Sequence, residues 1–333
     1  MREKVIKSIL SKKLRDWLES IEDEEVKKLV KKNTIITGGS IVSLISNEKP
    51  KDFDVYFRNK ETVLAVANYY SNIFNEKKKD ENIKVNVVDA DTYKGYENSI
   101  DEETGECKKH RTVSNLEPGR VKLFITKDKH IGPGYAAENE EDLANNNEDI
   151  METYSKADEI DSEEMEKTDS KEEKKKYRPV FFSPNAITLS DKIQIVIRFY
   201  GEPEEIHKNY DYVHCKGYWT SWDNEINISK EVYEVIINKT LVYSGSKYPL
   251  CSLFRMRKFM ERGWRINAGQ ILKIAFQVSE LDLSDLNVLE DQLIGVDSAY
   301  FSQLIYQLQK QQEENSEFKF TSGYLVSIID KIF

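Results

Sequence analysis

The residues best equipped for chemistry lie between Thr34 and Phe57, in the run TIITGGSIVSLISNEKPKDFDVYF. Gly38 and Gly39 follow a short apolar run, Ile35-Ile36, and precede Ser40. Glycines at a strand-to-helix turn let the backbone approach a phosphate closely, and the first turn of the helix offers unpaired N–H groups. Asp52 and Asp54 follow in Asp52-Phe53-Asp54-Val55-Tyr56-Phe57. Side chains alternate along a strand, so both acids share one face while Phe53 and Val55 share the other. Two carboxylates with no base between them repel unless a cation neutralises them. Mg²⁺ prefers carboxylate, water and phosphate oxygens. A phosphate cradle beside metal-binding carboxylates is equipment for in-line phosphoryl or nucleotidyl transfer.

Stepping outward, the spacing of Ile41, Val42, Leu44 and Ile45 predicts a short helix after the glycines, broken at Asn47–Lys51. Residues 4–32 read as one or two helices with an apolar stripe of Val5, Ile9, Leu10, Leu14, Trp17, Leu18 and Ile21. Glu61–Asn75 reads as a helix and Ile83–Val88 as a strand, with Asp89 and Asp91 at its end facing water. Val121–Ile125 is a further short strand. From 177 onward the pattern predicts a β-meander feeding a central strand, Ile193–Phe199. A short helix over Gly201–Asn209 and a strand over Tyr210–Cys215 follow. Val232–Ile237 and Thr240–Tyr243 read as strands, and 268–333 as a helical bundle.

The glycine turn, short helix and paired acids together resemble the signature of the DNA polymerase beta-like nucleotidyltransferase superfamily, over about 24 residues in matching order and spacing. The resemblance implies an α+β fold: a nucleotidyltransferase-fold mixed sheet with flanking helices, plus a C-terminal helical domain. It implies that Gly38, Gly39 and Ser40 hold the triphosphate of an NTP and that Asp52 and Asp54 bind Mg²⁺ or Mn²⁺. One metal would orient the α-phosphate and a second would activate the attacking hydroxyl. Enzymes of this superfamily usually carry a third carboxylate on a later strand. Gln194 stands where that acid is expected, and an amide is a poor metal ligand. Asp211 is the better candidate by chemistry; a residual role for Gln194 and a site with no third acid both stay open.

A second resemblance lies in Pro249–Ile266. Arg255, Lys258-Phe259 and then Gly263-Trp264-Arg265-Ile266 are similar to the neck helix of CCA-adding enzymes. Arg255, Lys258 and Arg262 share one helical face, and residues 251–265 hold five basic residues and one acid. The resemblance implies contact with the incoming nucleotide or with the primer backbone; a basic face paired to neighbouring acids is the alternative. The segments RKFMERGW, NAGQILKIAFQ and LEDQLIGVD also resemble phage-encoded nucleotidyltransferase-like proteins. Together these imply transfer of a nucleotide from an NTP to an RNA 3′ end, a tRNA or another acceptor. The rival expectation is a catalytically degenerate, binding or virion-associated protein that keeps the fold.

Composition bounds these readings. The chain has 333 residues and a net charge of −10. Glu138–Lys176 holds 16 Asp/Glu and 6 Lys, a net of −10, so the remainder is neutral. That tract lacks the apolar content to fold alone and reads as a solubilising insert. The expected organisation is 1–136 and 177–248 as two parts of a catalytic domain, 137–176 as an acidic insert, and 249–333 as a helical domain. Three widely spaced cysteines, Cys107, Cys215 and Cys251, form no metal pattern and suit a reducing compartment. No apolar run is long enough for a membrane span, and MREKVIKSIL lacks a signal-peptide core. A cytoplasmic location is expected, in the host if the protein is phage-encoded.

Overall fold

The computed structural model of the chain describes residues 2–81, 83–93, 98–100, 107–109, 118–127, 130–132, 136–138, 177–285, 288–289 and 292. The acidic tract beyond Glu138, and the helices expected over 297–312 and 323–333, lie outside the described residues.

Two helices open the chain, α1 (Glu3–Ser20) and α2 (Glu24–Asn33). Asp23 caps α2 by accepting from the backbone N–H groups of Glu25 and Val26, which stabilises it by about 1 kcal/mol. Strand β1 (Thr34–Thr37) follows, then α3 (Gly39–Ile45), β2 (Phe53–Phe57) and α4 (Lys60–Lys77). Ile6, Leu10, Leu14 and Trp17 form the buried stripe of α1, whereas Val5 stays 44% exposed. The Trp17 indole N–H donates to the Tyr70 hydroxyl at 2.7 Å and so pins α1 to α4. Each large apolar side chain so buried contributes roughly 1.5–3 kcal/mol.

A small antiparallel sheet follows from β3 (Ile83–Asp89), β6 (Val121–Lys127) and β7 (His130–Gly132), in the order β3-β6-β7. Between β3 and β6 lies a pair, β4 (Asn98–Ile100) and β5 (Cys107–Lys109). The later strands are β8 (Ala136–Ala137), β9 (Pro179–Phe182), β10 (Ala186–Leu189) and β11 (Ile193–Tyr200). After helix α5 (Pro203–His207) come β12 (Tyr218–Thr220), β13 (Ile226–Asn227), α6 (Lys230–Ile237) and β14 (Thr240–Leu241). Helix α7 (Pro249–Glu261), β15 (Arg265–Ile266) and α8 (Ala268–Ser279) end the described helices and strands.

The main sheet has eight strands in the order β13-β12-β1-β2-β11-β10-β9-β8. β1 and β2 are antiparallel, while β2 and β11 are parallel, so the sheet is mixed. Phe53, Val55 and Phe57 of β2, with Ile193, Ile195 and Ile197 of β11, enter the main core with α1, α2 and α4. Ile35 and Tyr56 point the other way, into a smaller cluster with Ile206, Tyr210 and Tyr218. Asp54 alternates with Val55 and therefore stands on this second, more thinly covered face.

Two expected strands are replaced by other structure. Tyr210–Cys215 makes only an isolated bridge, Tyr212 to Tyr243, before Val213–Lys216 closes into a 3-10 turn. Val232–Ile237 belongs to helix α6, because Ser229 caps Val232 N–H and Val232, Val235 and Ile236 recur at helical spacing on its buried face. β-branched residues favour strands only weakly, and the cap with its packing face prevails. Glu138, counted with the acidic tract, belongs to the fold: its carboxylate pairs with Arg178 at 2.6 Å and also with Lys77. Among the described residues no helix is long and apolar enough to cross a membrane.

Candidate functional site

The site starts at the register of three adjacent strands. Thr37 of β1 lies opposite Asp54 of β2, and Asp54 lies opposite Gln194 of β11. Gly38 follows Thr37 with φ +80° and ψ −146°, a conformation open almost only to glycine. A Cβ there would sit 2.9 Å from the Asp54 Oδ2 and 3.6 Å from the Tyr210 hydroxyl. The glycine is thus needed twice, for its backbone angle and for the carboxylate lying against it.

The turn is held from behind. Gly38 N–H donates to the Cys215 carbonyl at 3.2 Å. Thr37 Oγ1 donates to the Gly217 carbonyl at 2.7 Å and lies 2.9 Å from His207 Nε2. With the hydroxyl proton so engaged, His207 Nε2 is the donor. Burial pushes the His207 pKa down to about 4, with Lys216 adding to the effect, so the ring is neutral near pH 7. Ser40 is buried, and its hydroxyl turns back toward the Thr37 carbonyl at 3.4 Å. A Cβ on Gly39, by contrast, would meet open space.

Asp52 sits exposed in the residue before β2, and Asp54 is half-buried. The basic residues of α7 act on this region through their charge. Lys258 is pushed down to about 8, first by burial and then by Arg262, Lys51 and Arg255, while Asp52 acts in the opposite direction. The Cys215 thiol is raised by burial, and the charges that act on it are Asp211, Arg255, Asp54 and Arg262. Asp52 is thus within electrostatic reach of Lys258, and Asp54, Arg255 and Arg262 are each within reach of Cys215, although helix and sheet lie about 200 residues apart in sequence. The Tyr210 hydroxyl is raised well above its ordinary range by burial, then by Tyr56 and Asp54, and stays protonated.

Asp211 has a different environment. It is 5% exposed, and its Oδ2 accepts from Arg255 Nη1 at 2.8 Å and from Ser252 Oγ at 3.0 Å. Asp89 and Asp91 both pair with Lys60. His214, buried among Tyr212, Phe259 and Trp264, has no hydrogen-bond partner on either ring nitrogen.

The donors around Gly38 suit a hard divalent cation. Asp52 and Asp54 supply carboxylate oxygens, and a phosphate with water would complete a shell of the kind Mg²⁺ or Mn²⁺ takes. Among the described residues no group of three or more His, Cys, Asp or Glu is placed to hold a metal. Sequence reasoning missed Tyr210, Cys215 and Ser252 as site neighbours. The signal of the tyrosine was masked, since Tyr210-Asp211-Tyr212 alternates as a strand would while the segment makes only a bridge and a 3-10 turn. Ser252 had none, because only the docking of α7 brings it to Asp211.

The chain matches a family model described as "Gad2: Gabija anti-defense 2 family protein" over residues 8–239. No curated protein matches it. The matched segment includes Gly38, Asp52, Asp54, Gln194 and Asp211 and ends before α7.

Proposed function

The chain belongs to the Gabija anti-defense 2 family, and we propose that it acts against that defence as a metal-dependent nucleotidyltransferase. The observation that carries this reading is the Asp54 carboxylate packed against the Gly38 turn, with the cations of α7 in the same neighbourhood. The parallel β2–β11 pair beside antiparallel β1 agrees with a nucleotidyltransferase fold, and α7 with α8 would open a C-terminal helical domain.

In this reading Gly38 and Gly39 let an NTP approach the end of β1, with Ser40 shaping the turn. Arg255, Lys258 and Arg262 offset the charge of the phosphates, where charge-assisted hydrogen bonds are about twice as strong as neutral ones. Asp52 and Asp54 would hold Mg²⁺ or Mn²⁺, which supplies Lewis-acid polarisation of the α-phosphate when bound. The acceptor hydroxyl attacks the α-phosphorus and releases its proton to solvent, the bond from that phosphorus to the α–β bridging oxygen breaks, and pyrophosphate leaves in line. The acceptor is an RNA, a tRNA or a protein hydroxyl belonging to the host or to its defence, met in the cytoplasm. Incubation with each α-labelled NTP, Mg²⁺ or Mn²⁺, and separated host RNA and protein tests this. Label is expected in one macromolecular fraction and absent with Asp54→Asn.

One observation favours a second reading, a catalytically degenerate protein that binds its target on the same fold. Gln194, an amide, occupies the β11 position opposite Asp54. Under that reading no fraction is labelled, and Asp54→Asn still protects against the defence.

A further inference from the structure

We propose that Asp211 is a positioning residue, a buried carboxylate that holds the Arg255 guanidinium ready for a polyphosphate bound at the Gly38 turn. This rests on the nucleotidyl-transfer reading of the site. A buried carboxylate near such a site has two possible uses. It can offer a lone pair to a metal, or it can hold a cation for the substrate. Asp211 is engaged in the second way. Its Oδ2 already accepts from Arg255 Nη1 at 2.8 Å and Ser252 Oγ at 3.0 Å, and its side chain is only 7% exposed.

The surroundings fix that carboxylate closely. The Asp211 carbonyl accepts from Ser244 N–H at 2.8 Å and from the Ser244 hydroxyl at 3.1 Å. The next residue, Tyr212, bridges to Tyr243 and donates its hydroxyl to the Ser252 carbonyl at 2.8 Å. Ser252 and Arg255 are three residues apart on α7 and so share a face. Three bonds therefore clamp the start of α7 onto the Asp211–Tyr212 segment. Arg255 is anchored yet keeps 40% of its side chain exposed. The segment that carries Asp211 also reaches the glycine turn: the Tyr210 hydroxyl lies 3.6 Å from where a Gly38 Cβ would sit, the Cys215 carbonyl accepts from Gly38 N–H at 3.2 Å, and the charges of Arg255 and Asp54 both reach the Cys215 thiol. A guanidinium is planar, with donors on more than one edge, and can join a carboxylate to a phosphate. An arginine without such an anchor loses side-chain entropy on binding; one already held loses less.

The test uses the full chain and inorganic tripolyphosphate with Mg²⁺, the moiety common to all NTPs, in calorimetric titrations. Asp211→Asn is expected to weaken binding about tenfold, consistent with loss of a charge-assisted contact. Asp211→Glu should recover part of that loss. In an Arg255→Ala background Asp211→Asn should add nothing, because the residue it positions is gone. At saturating NTP, Asp211→Asn should transfer label within a few-fold of the parent, so the defect lies in KM rather than kcat.

Wild-type affinity in Asp211→Asn overturns the proposal, as does a full additional loss on top of Arg255→Ala. Normal binding with abolished transfer also overturns it, by making Asp211 a carboxylate of the chemical step. Should Asp211→Asn fail to fold, Asp211→Glu decides, since unchanged affinity there removes the requirement for position. A parent that binds tripolyphosphate, shows the Asp211→Asn loss and labels no acceptor sinks nucleotidyl transfer while the positioning role stands. A parent that binds no polyphosphate defeats both.

Discussion

Gly38 carries two constraints in one residue, and a single added methyl group meets both. Its backbone angles are strained for any side chain, at about 1–3 kcal/mol, and a Cβ would also press on the Asp54 carboxylate. Gly38→Ala should lower stability by that amount and displace Asp54, seen as a reduced melting temperature together with lost polyphosphate binding. Gly39→Ala, which meets open space, should retain most of the stability. A Gly38→Ala protein with normal stability and binding would remove the turn from the site. The cations and the carboxylates should separate in kinetics as well. Arg255→Ala should weaken NTP binding by roughly 1.5–3 kcal/mol, whereas Asp54→Asn should spare much of the binding and abolish transfer. Parallel NTP titration and label transfer on both variants checks this, and equal NTP affinity for Arg255→Ala and the parent would exclude that arginine from the site. The sequence made the acids and the basic stripe legible because each keeps a fixed local spacing. It did not make Asp211 legible as an arginine partner, since a carboxylate in YDY carries no mark of what will pack on it.

At the scale of elements, α7 is held against the turn Val213–Lys216 by an aromatic cluster. His214 lies 4.5 Å from the Phe259 ring and 4.3 Å from that of Trp264, centroid to centroid. Burial lowers its pKa to about 4 from an ordinary 6.5. The unfolded chain then binds this proton more readily, so the contribution is present above pH 6.5 and is lost as pH falls through 6.5 toward 4. His207, also lowered to about 4, acts in the same direction. Urea midpoints should therefore fall between pH 7 and pH 4.5, and His214→Leu should flatten the fall by removing one of the two groups. An unchanged slope in His214→Leu would show that the ring titrates normally. Helices such as α1 and α4 were legible because their apolar stripes keep a 3.6-residue period, and β11 because it alternates. Val232–Ile237 misled because four of its six residues, Val232, Val235, Ile236 and Ile237, are β-branched, while its cap and its buried side at α6 decide for helix. The short pairs β12 and β13 escaped notice because two or three residues are too few to show a period.

For the whole molecule, the fold is a mixed sheet with helices packed on it, and the candidate site lies where β1, β2 and β11 run side by side at Thr37, Asp54 and Gln194. The composition already separated the acidic tract from the rest, apart from Glu138, whose pairing with Arg178 and Lys77 makes it part of the framework. Replacing residues 139–176 by a short Gly/Ser linker should leave the melting temperature within a few degrees, since the tract has little apolar surface to bury. Loss of folded protein on that deletion would show that the tract packs. The parallel pairing of β2 with β11 has a further consequence, for biogenesis. Phe57 ends β2, and Ile193 begins its partner, so 135 residues are made between them. At about 5–20 residues per second, the strand carrying Asp54 waits roughly 7–27 s on the ribosome with one edge unpaired. An open edge is a template for wrong pairing with other chains. The acidic tract 138–176, with its net charge of −10, is made during this interval, and like-charged nascent chains repel one another. The acidic tract would then act before the fold is complete, keeping neighbouring nascent chains apart until β11 arrives.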